Sequence, residues 1–186
     1  MCNCFVYSLG PRILRRCLTH FNVTKSDVIV YGSIGVHFRE GPQLFSKGDS
    51  TPTVNYATQE VNTVMRILKP VTHLIWKTAT AQHFTFAGGH FHFPTMEDYN
   101  RWRPNATCAS SHTIAEMEEH NAWNRAGQPL IRAAGVPILD VWRSTSLAWN
   151  AHVGFGDCTH WCVPGVMDHW TDPLHSLVQQ RLVAFL

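Results

Sequence analysis

Residues 28–38 read Val-Ile-Val-Tyr-Gly-Ser-Ile-Gly-Val-His-Phe, an apolar run that ends in a turn of small residues carrying a histidine. Consecutive β-branched and aromatic residues without polar alternation are typical of a strand buried on both faces of a parallel sheet. In open α/β sheets, ligands bind outside the carboxyl ends of the strands. The turn after this strand is therefore a candidate binding site.

Around this run the sequence predicts alternating helices and strands. Apolar spacing predicts helices over residues 11–20, 54–68, 114–134 and 173–185, and short apolar runs predict strands over 73–77 and 136–141. The third helix is predicted as one segment, or as two separated near residues 127–129. This alternation predicts parallel pairing in a layered α/β sheet. Three strands are few for such a sheet, because about five or six are usual.

The composition describes one globular domain. Of the 186 residues, 45% are apolar and 15% are charged, which suits one core. The formal net charge of +2, with no basic run longer than Arg15-Arg16, argues against nucleic acid as a partner. No run reaches the roughly 18 apolar residues that a membrane span needs, and residues 1–21 lack a signal-peptide pattern.

Six cysteines and two glycosylation sequons, which begin at Asn22 and Asn105, favour an oxidising secretory compartment. Cys108 is the only cysteine of the domain body outside the pair Cys158 and Cys162. A bridge from Cys108 to one of these two is therefore expected, and the sequence leaves open which one.

Residues 156–170 read Gly-Asp-Cys-Thr-His-Trp-Cys-Val-Pro-Gly-Val-Met-Asp-His-Trp and are predicted as a loop between the last strand and the last helix. An Asp three residues before a His can orient the imidazole as a general base, so Asp157 and His160 form a candidate catalytic pair. The same spacing fits a loop histidine that only caps a helix or bonds a backbone carbonyl. Spacing alone favours that structural role.

A metal site is a second interpretation. His90 and His92 lie on one side of an extended segment, and with His83 or Asp98 they could form a zinc site. The chain has no His-Glu-x-x-His motif and no Cys-x-x-Cys motif. No metal and no other cofactor is therefore expected.

Residues 157–170 resemble the C-terminal signature of the PC-esterase domain of trichome-birefringence-like proteins, plant polysaccharide O-acetyltransferases related to GDSL/SGNH hydrolases. Weaker matches follow the same order at residues 27–38, 75–84 and 139–152, so the resemblance covers about residues 27–182. It implies that residues 1–186 form a single, N-terminally truncated PC-esterase-like domain. The implied fold is a partial SGNH-like three-layer α/β sheet, mostly parallel and missing its first strand or strands.

The resemblance implies a Ser-His-Asp acyl-enzyme mechanism. Asp157 would orient His160, and His160 would deprotonate first a serine and then an acceptor hydroxyl. The implied oxyanion or substrate pocket consists of Ser33, Gly35, His37 and His83. The implied partners are a polysaccharide or other glycan acceptor and an acetyl donor. The implied location is the secretory pathway, in the Golgi lumen, with any membrane anchor of the parent protein outside this chain.

The sequence departs from the family pattern at the nucleophile. The family's Gly-Asp-Ser precedes the mid-domain strand, and residues 1–26 contain none. The Gly-Asp-Ser at residues 48–50 follows that strand, in a polar segment without a rigid platform, so Ser50 is not expected to be the nucleophile. Whether this chain is an enzyme thus stays open. The alternatives are an inactive glycan-binding remnant of the same fold and a metal-dependent hydrolase.

Overall fold

The computed structural model describes residues 11–33, 51–86, 89, 91, 93, 95–109, 112–119 and 121–183, without the side chains of residues 51–54. The helices are α1 (Pro11–His20), α2 (Thr51–Ile67), α3 (Met96–Trp102), α4 (Ile114–Glu119), α5 (Ala122–Ala133), α6 (Trp142–Ser146) and α7 (Thr171–Val183). The strands are β1 (Val28–Gly32), β2 (His73–Lys77), β3 (Ile138–Leu139), β4 (His152–Gly154) and β5 (Asp157–Trp161). Short 3₁₀ turns cover Arg103–Asn105, Trp149–Ala151 and Val166–Trp170.

The first three strands form a parallel sheet in the order β1-β2-β3. Val28 of β1 lies opposite His73 of β2, and Trp76 of β2 lies opposite Ile138 of β3. Parallel neighbours need crossover connections, which α2 supplies between β1 and β2, and α3 to α5 supply between β2 and β3. The predicted α/β class is confirmed, since helices alternate with the strands of a parallel sheet.

Helices cover both faces of the parallel sheet. Alternate residues of β2 point to opposite faces, as the pleat of a strand requires. Leu74 and Trp76 pack with α1, α2 and α5 on one face, and Ile75 packs with α7 on the other. Among the described residues, no helix combines the length and apolar character needed to cross a membrane.

A buried carboxylate fixes the carboxyl end of β1. Glu60 of α2 is fully buried and accepts hydrogen bonds from Tyr31 Oη at 2.9 Å, Ser33 Oγ at 2.9 Å and Trp123 Nε1 at 2.6 Å. Burial, followed by the negative charge of Glu60, raises the pKa of Tyr31. Three donors satisfy the oxygens of this buried side chain, which would otherwise be costly to remove from water. The cluster joins α2 and α5 to the end of the strand.

The region 114–134 forms two helices, but the first ends at Glu119 and the second begins at Ala122, so they do not separate at residues 127–129. Pro129 is inside α5, where a proline costs about 3 kcal/mol of helix stability. Packing of α5 on α2 offsets this cost, because Ile131 is fully buried in the core. Gly127 permits the close approach, since a Cβ there would lie 3.2 Å from Val61 Cγ2.

Candidate active site

Asp157 and His160 lie on β5, in an antiparallel hairpin with β4, and not in the predicted loop. Gly154 pairs with Asp157, which leaves a two-residue turn of Phe155 and Gly156. Both turn residues have positive φ, 55° and 73°, as a type I′ hairpin turn requires. The glycine suits this backbone, and its position allows a tight hairpin that the sequence pattern did not predict.

The Asp157 carboxylate accepts three hydrogen bonds, two of them from His160. Its Oδ2 accepts from the His160 ring Nδ1 at 2.8 Å, while its Oδ1 accepts from the backbone N–H groups of Thr159 at 3.0 Å and His160 at 2.9 Å. Burial raises the pKa of Asp157, but the bonds from His160 and Thr159 outweigh it and lower the pKa overall. The carboxylate is thus charged at neutral pH and orients the imidazole.

The dyad faces solvent. The His160 side chain is 62% exposed and that of Asp157 is 27% exposed. With Nδ1 donating to Asp157, the nitrogen that can accept a proton from a reacting hydroxyl is Nε2. The structure therefore brings together the two residues that the sequence paired, in the orientation a general base needs.

A disulfide anchors β5 to the segment that contains Cys108. Cys108 is bonded to the fully buried Cys158, with their Cα atoms 5.4 Å apart, which decides between the two pairings that the sequence allowed. Cys162 is an exposed free thiol whose Sγ donates to the backbone carbonyl of His152 at 3.2 Å. The bridge joins the hairpin to the segment after α3.

The segment after β2 runs beside β5. The backbone N–H of His83 donates to the Cys158 carbonyl at 3.0 Å, and Gln82 Nε2 donates to Thr159 Oγ1 at 2.8 Å. His83 is buried, with its ring 2.8 Å from the ring of His152. His152 in turn lies 2.9 Å from the carbonyl of His160. Sequence reasoning assigned no role to His152, and its contact with His83 joins residues 69 positions apart.

The structure describes some of the other predicted site residues and not the rest. Ser33 lies at the end of β1 and donates to Glu60, and His83 lies under β5, so the pocket role of both stays a prediction. Five residues singled out in the sequence lie outside the described residues: Gly35, His37, Ser50, His90 and His92. Asp98 accepts from Thr95 at the start of α3. In the described part of the chain, no three potential metal ligands lie close enough to hold an ion.

Comparison with known proteins finds two plant relatives. The chain is 22% identical over 174 residues to protein trichome birefringence-like 12 of Arabidopsis thaliana, covering 79% of this chain and 40% of that protein. It is 32% identical over 59 residues to xyloglucan O-acetyltransferase 2 of the same plant, covering 26% of this chain and 14% of that protein. The chain is a distant and partial relative of both. It spans less than half the length of either.

These two similarities point to a PC-esterase-related family at low identity. No protein-family model matches the chain. A crystal structure of a Lactobacillus plantarum protein aligns with a TM-score of 0.41 and 15% identity, over 90% of this chain and 72% of that one.

Proposed function

We propose that this chain supplies the acid–base dyad of an O-acetyltransferase or acetylesterase that acts on cell-wall polysaccharide. The observation that carries the proposal is the 2.8 Å contact between Asp157 Oδ2 and His160 Nδ1 on an exposed, disulfide-anchored hairpin. The similarity to a xyloglucan O-acetyltransferase supports acetyl transfer to a sugar hydroxyl as the reaction class.

The dyad serves both halves of such a reaction. First, His160 Nε2 takes the proton of a serine hydroxyl while the serine oxygen bonds to the acetyl carbon, and the proton then passes to the leaving group of the donor. Next, Nε2 takes the proton of a glycan hydroxyl, whose oxygen displaces the serine oxygen from the acetyl group, and the proton returns to the serine. The Asp157 carboxylate stabilises the imidazolium formed in each half. Water in place of the glycan gives hydrolysis.

In this proposal the serine belongs to a Gly-Asp-Ser segment that is not among residues 1–26. The resembled family places that segment before the strand that corresponds to β1. Ser33 does not fit the role, because its hydroxyl donates to the buried carboxylate of Glu60 at 2.9 Å and not to an imidazole. An activated nucleophile needs a base within hydrogen-bond reach.

The proposal is tested with a fusion that places a Gly-Asp-Ser segment from a member of the resembled family before residue 27. Hydrolysis of a chromogenic acetate ester is measured for the fusion and for the chain alone. We expect turnover by the fusion and none above background by the chain. His160→Ala should lower turnover of the fusion about 10⁴-fold or more, as removal of a triad base does.

His169→Ala is the matched control, because His169 is also exposed and follows the same hairpin. This variant should retain the activity of the intact fusion. Circular dichroism establishes that each protein is folded. A folded fusion whose turnover is unchanged by His160→Ala would contradict the proposal.

A further inference from the structure

Two buried histidines lie beside β5, the strand that carries the dyad, and take no part in the proposed chemistry. His83 and His152 are 1% and 7% exposed. His83 Nδ1 lies 2.8 Å from His152 Nε2, and the outer nitrogens face backbone carbonyls, His83 Nε2 that of Ser146 at 3.2 Å and His152 Nδ1 that of His160 at 2.9 Å. The four ring nitrogens form a continuous chain between two carbonyl oxygens.

The number of hydrogens that the four ring nitrogens can carry is limited. Each of the three contacts needs one hydrogen, and a carbonyl oxygen can only accept, so both outer nitrogens must donate if every contact is a hydrogen bond. Two neutral imidazoles carry only two such hydrogens. One contact therefore lacks a hydrogen in the neutral pair, and the longest one, from His83 to Ser146, fits that role. This places a hydrogen on Nδ1 of both rings.

The surroundings keep the pair neutral at neutral pH. Burial is the largest influence and lowers the pKa of both rings, that of His83 to about 4. The ionisable groups outside the pair that act on it are Asp157, which favours the charged form, and His112 and His160, which oppose it. The Cys162 thiol donates to the His152 backbone carbonyl and not to its ring. The Trp161 indole stacks on His152 with centroids 4.0 Å apart and an interplanar angle of 25°.

The hydrogen bonds of the two imidazoles reach the backbone of His160, the proposed general base. His160 is held at its N–H by Asp157 Oδ1 at 2.9 Å and at its C=O by His152 Nδ1 at 2.9 Å. The two contacts fix the position from which the His160 ring reaches Asp157 Oδ2. A shift of about 1 Å in a catalytic group is enough to lower a rate about 100-fold.

We infer that the His83–His152 pair is a positioning device for His160, with both rings protonated at Nδ1 when neutral and with one further proton shared by the pair in acid. The inference rests on the proposed function for the role of His160. His83 and His152 act through the backbone and do not touch the reacting atoms.

The test uses the ¹⁵N-labelled chain itself and imidazole NMR spectra. At neutral pH, we expect Nδ1 to be protonated and Nε2 to be unprotonated in both His83 and His152. On acidification, the nitrogen shifts of the two rings should move together with a common midpoint, because the pair takes up a single proton. An Nε2-protonated ring at neutral pH, or two independent midpoints, would overturn the inference.

Substitutions separate positioning from general stability. His152→Phe keeps an aromatic ring against Trp161 but removes the donor, so the Nδ1 proton of His160 should exchange with water at least ten-fold faster. His152→Asn places an amide near the position of Nδ1 and should restore the exchange rate of the unsubstituted chain. His112→Phe is the control, since His112 also bonds a carbonyl, that of Phe84 at 2.9 Å, but does not contact β5 in this way.

An unchanged exchange rate in folded His152→Phe, or a rate raised equally by His112→Phe, would show that the pair is only structural. If His152→Phe does not fold, the tautomers of the intact chain and the exchange rate in His152→Asn decide the question. Because these signals need no turnover, an inactive fusion would refute the proposed function and leave the positioning result standing.

Discussion

At the scale of single residues, one carboxylate organises the candidate site. Asp157 accepts from two backbone N–H groups with one oxygen and from the His160 ring with the other. The spacing of the two residues made this contact possible but by itself favoured a structural role for His160, and the family resemblance is what paired them as a dyad. The contact between His83 and His152 could not be predicted in this way, since it depends on how distant segments pack.

The ring orientation gives a prediction for Asp157→Asn in the fusion. The asparagine oxygen can still accept one set of hydrogen bonds, but its amide cannot accept from His160 Nδ1. The imidazole should switch its hydrogen to Nε2, where it cannot act as a base, and activity should fall about 10⁴-fold with little loss of stability. Steady-state kinetics and thermal unfolding measure the two effects. A loss of activity below ten-fold would show that Asp157 does not set the tautomer.

Ser50 gives a second prediction at this scale. The chain alone should not react with a fluorophosphonate probe, which labels serines activated by a neighbouring base. Labelling that disappears in Ser50→Ala and in His160→Ala would identify Ser50 as the nucleophile. In that case the dyad would remain, and the requirement for a preceding segment would be wrong.

At the scale of elements, the hairpin β4–β5 is the main feature that the sequence pattern did not predict. β4 has only three residues and the pairing contains an irregularity between His152 and Gly154, so apolar alternation is too short to detect. The helices α1 and α7 and the strand β2 were predicted within a few residues, because their apolar residues are the ones that pack against the core, those of α7 only partly buried. Tertiary packing keeps α5 continuous through Pro129, where the sequence left open a break.

The disulfide should stabilise the hairpin and the whole fold. Cys108 and Cys158 are 50 residues apart, and closing a loop of that length lowers the entropy of the unfolded chain by an amount worth about 4 kcal/mol. Cys108→Ser should therefore lower the midpoint of urea unfolding markedly, as should a reductant on the intact chain. Cys162→Ser is the control and should have little effect. No change with reductant would mean that the bridge does not form in solution.

At the scale of the whole molecule, β1 is an edge strand of the sheet that the described residues form, and its apolar face is partly exposed. Among the described residues, no strand pairs with its outer edge, and Val30 is 39% exposed. Edge strands of this kind favour association with other chains. We expect the isolated chain to self-associate, and Val30→Lys to reduce this, measured by light scattering over a range of concentrations. A monodisperse monomer at all concentrations would contradict the expectation.

Stability should also depend on pH through the buried histidines. The pKa of His83 falls to about 4 in the folded protein, below the value of about 6.5 in an unfolded chain, and that of His152 is also lowered. The unfolded state thus binds more protons between these values, so the free energy of unfolding should fall as the pH drops from about 6.5 to about 4. The contribution of Asp157, whose pKa is lowered, is lost only in more acidic solution. Urea unfolding at a series of pH values measures the slope, which should flatten in folded His83→Gln.

The central claim is that His160 is the general base of acetyl transfer, and single-turnover mass spectrometry of the fusion tests it most directly. After mixing with an acetyl ester and a xyloglucan acceptor, the acetyl group is followed on the serine and then on the glycan. We predict that the intact fusion and His169→Ala form and transfer the acetyl group, and that His160→Ala is slower by about 10⁴-fold or more in both steps. Equal rates with and without His160 in folded protein would contradict the claim.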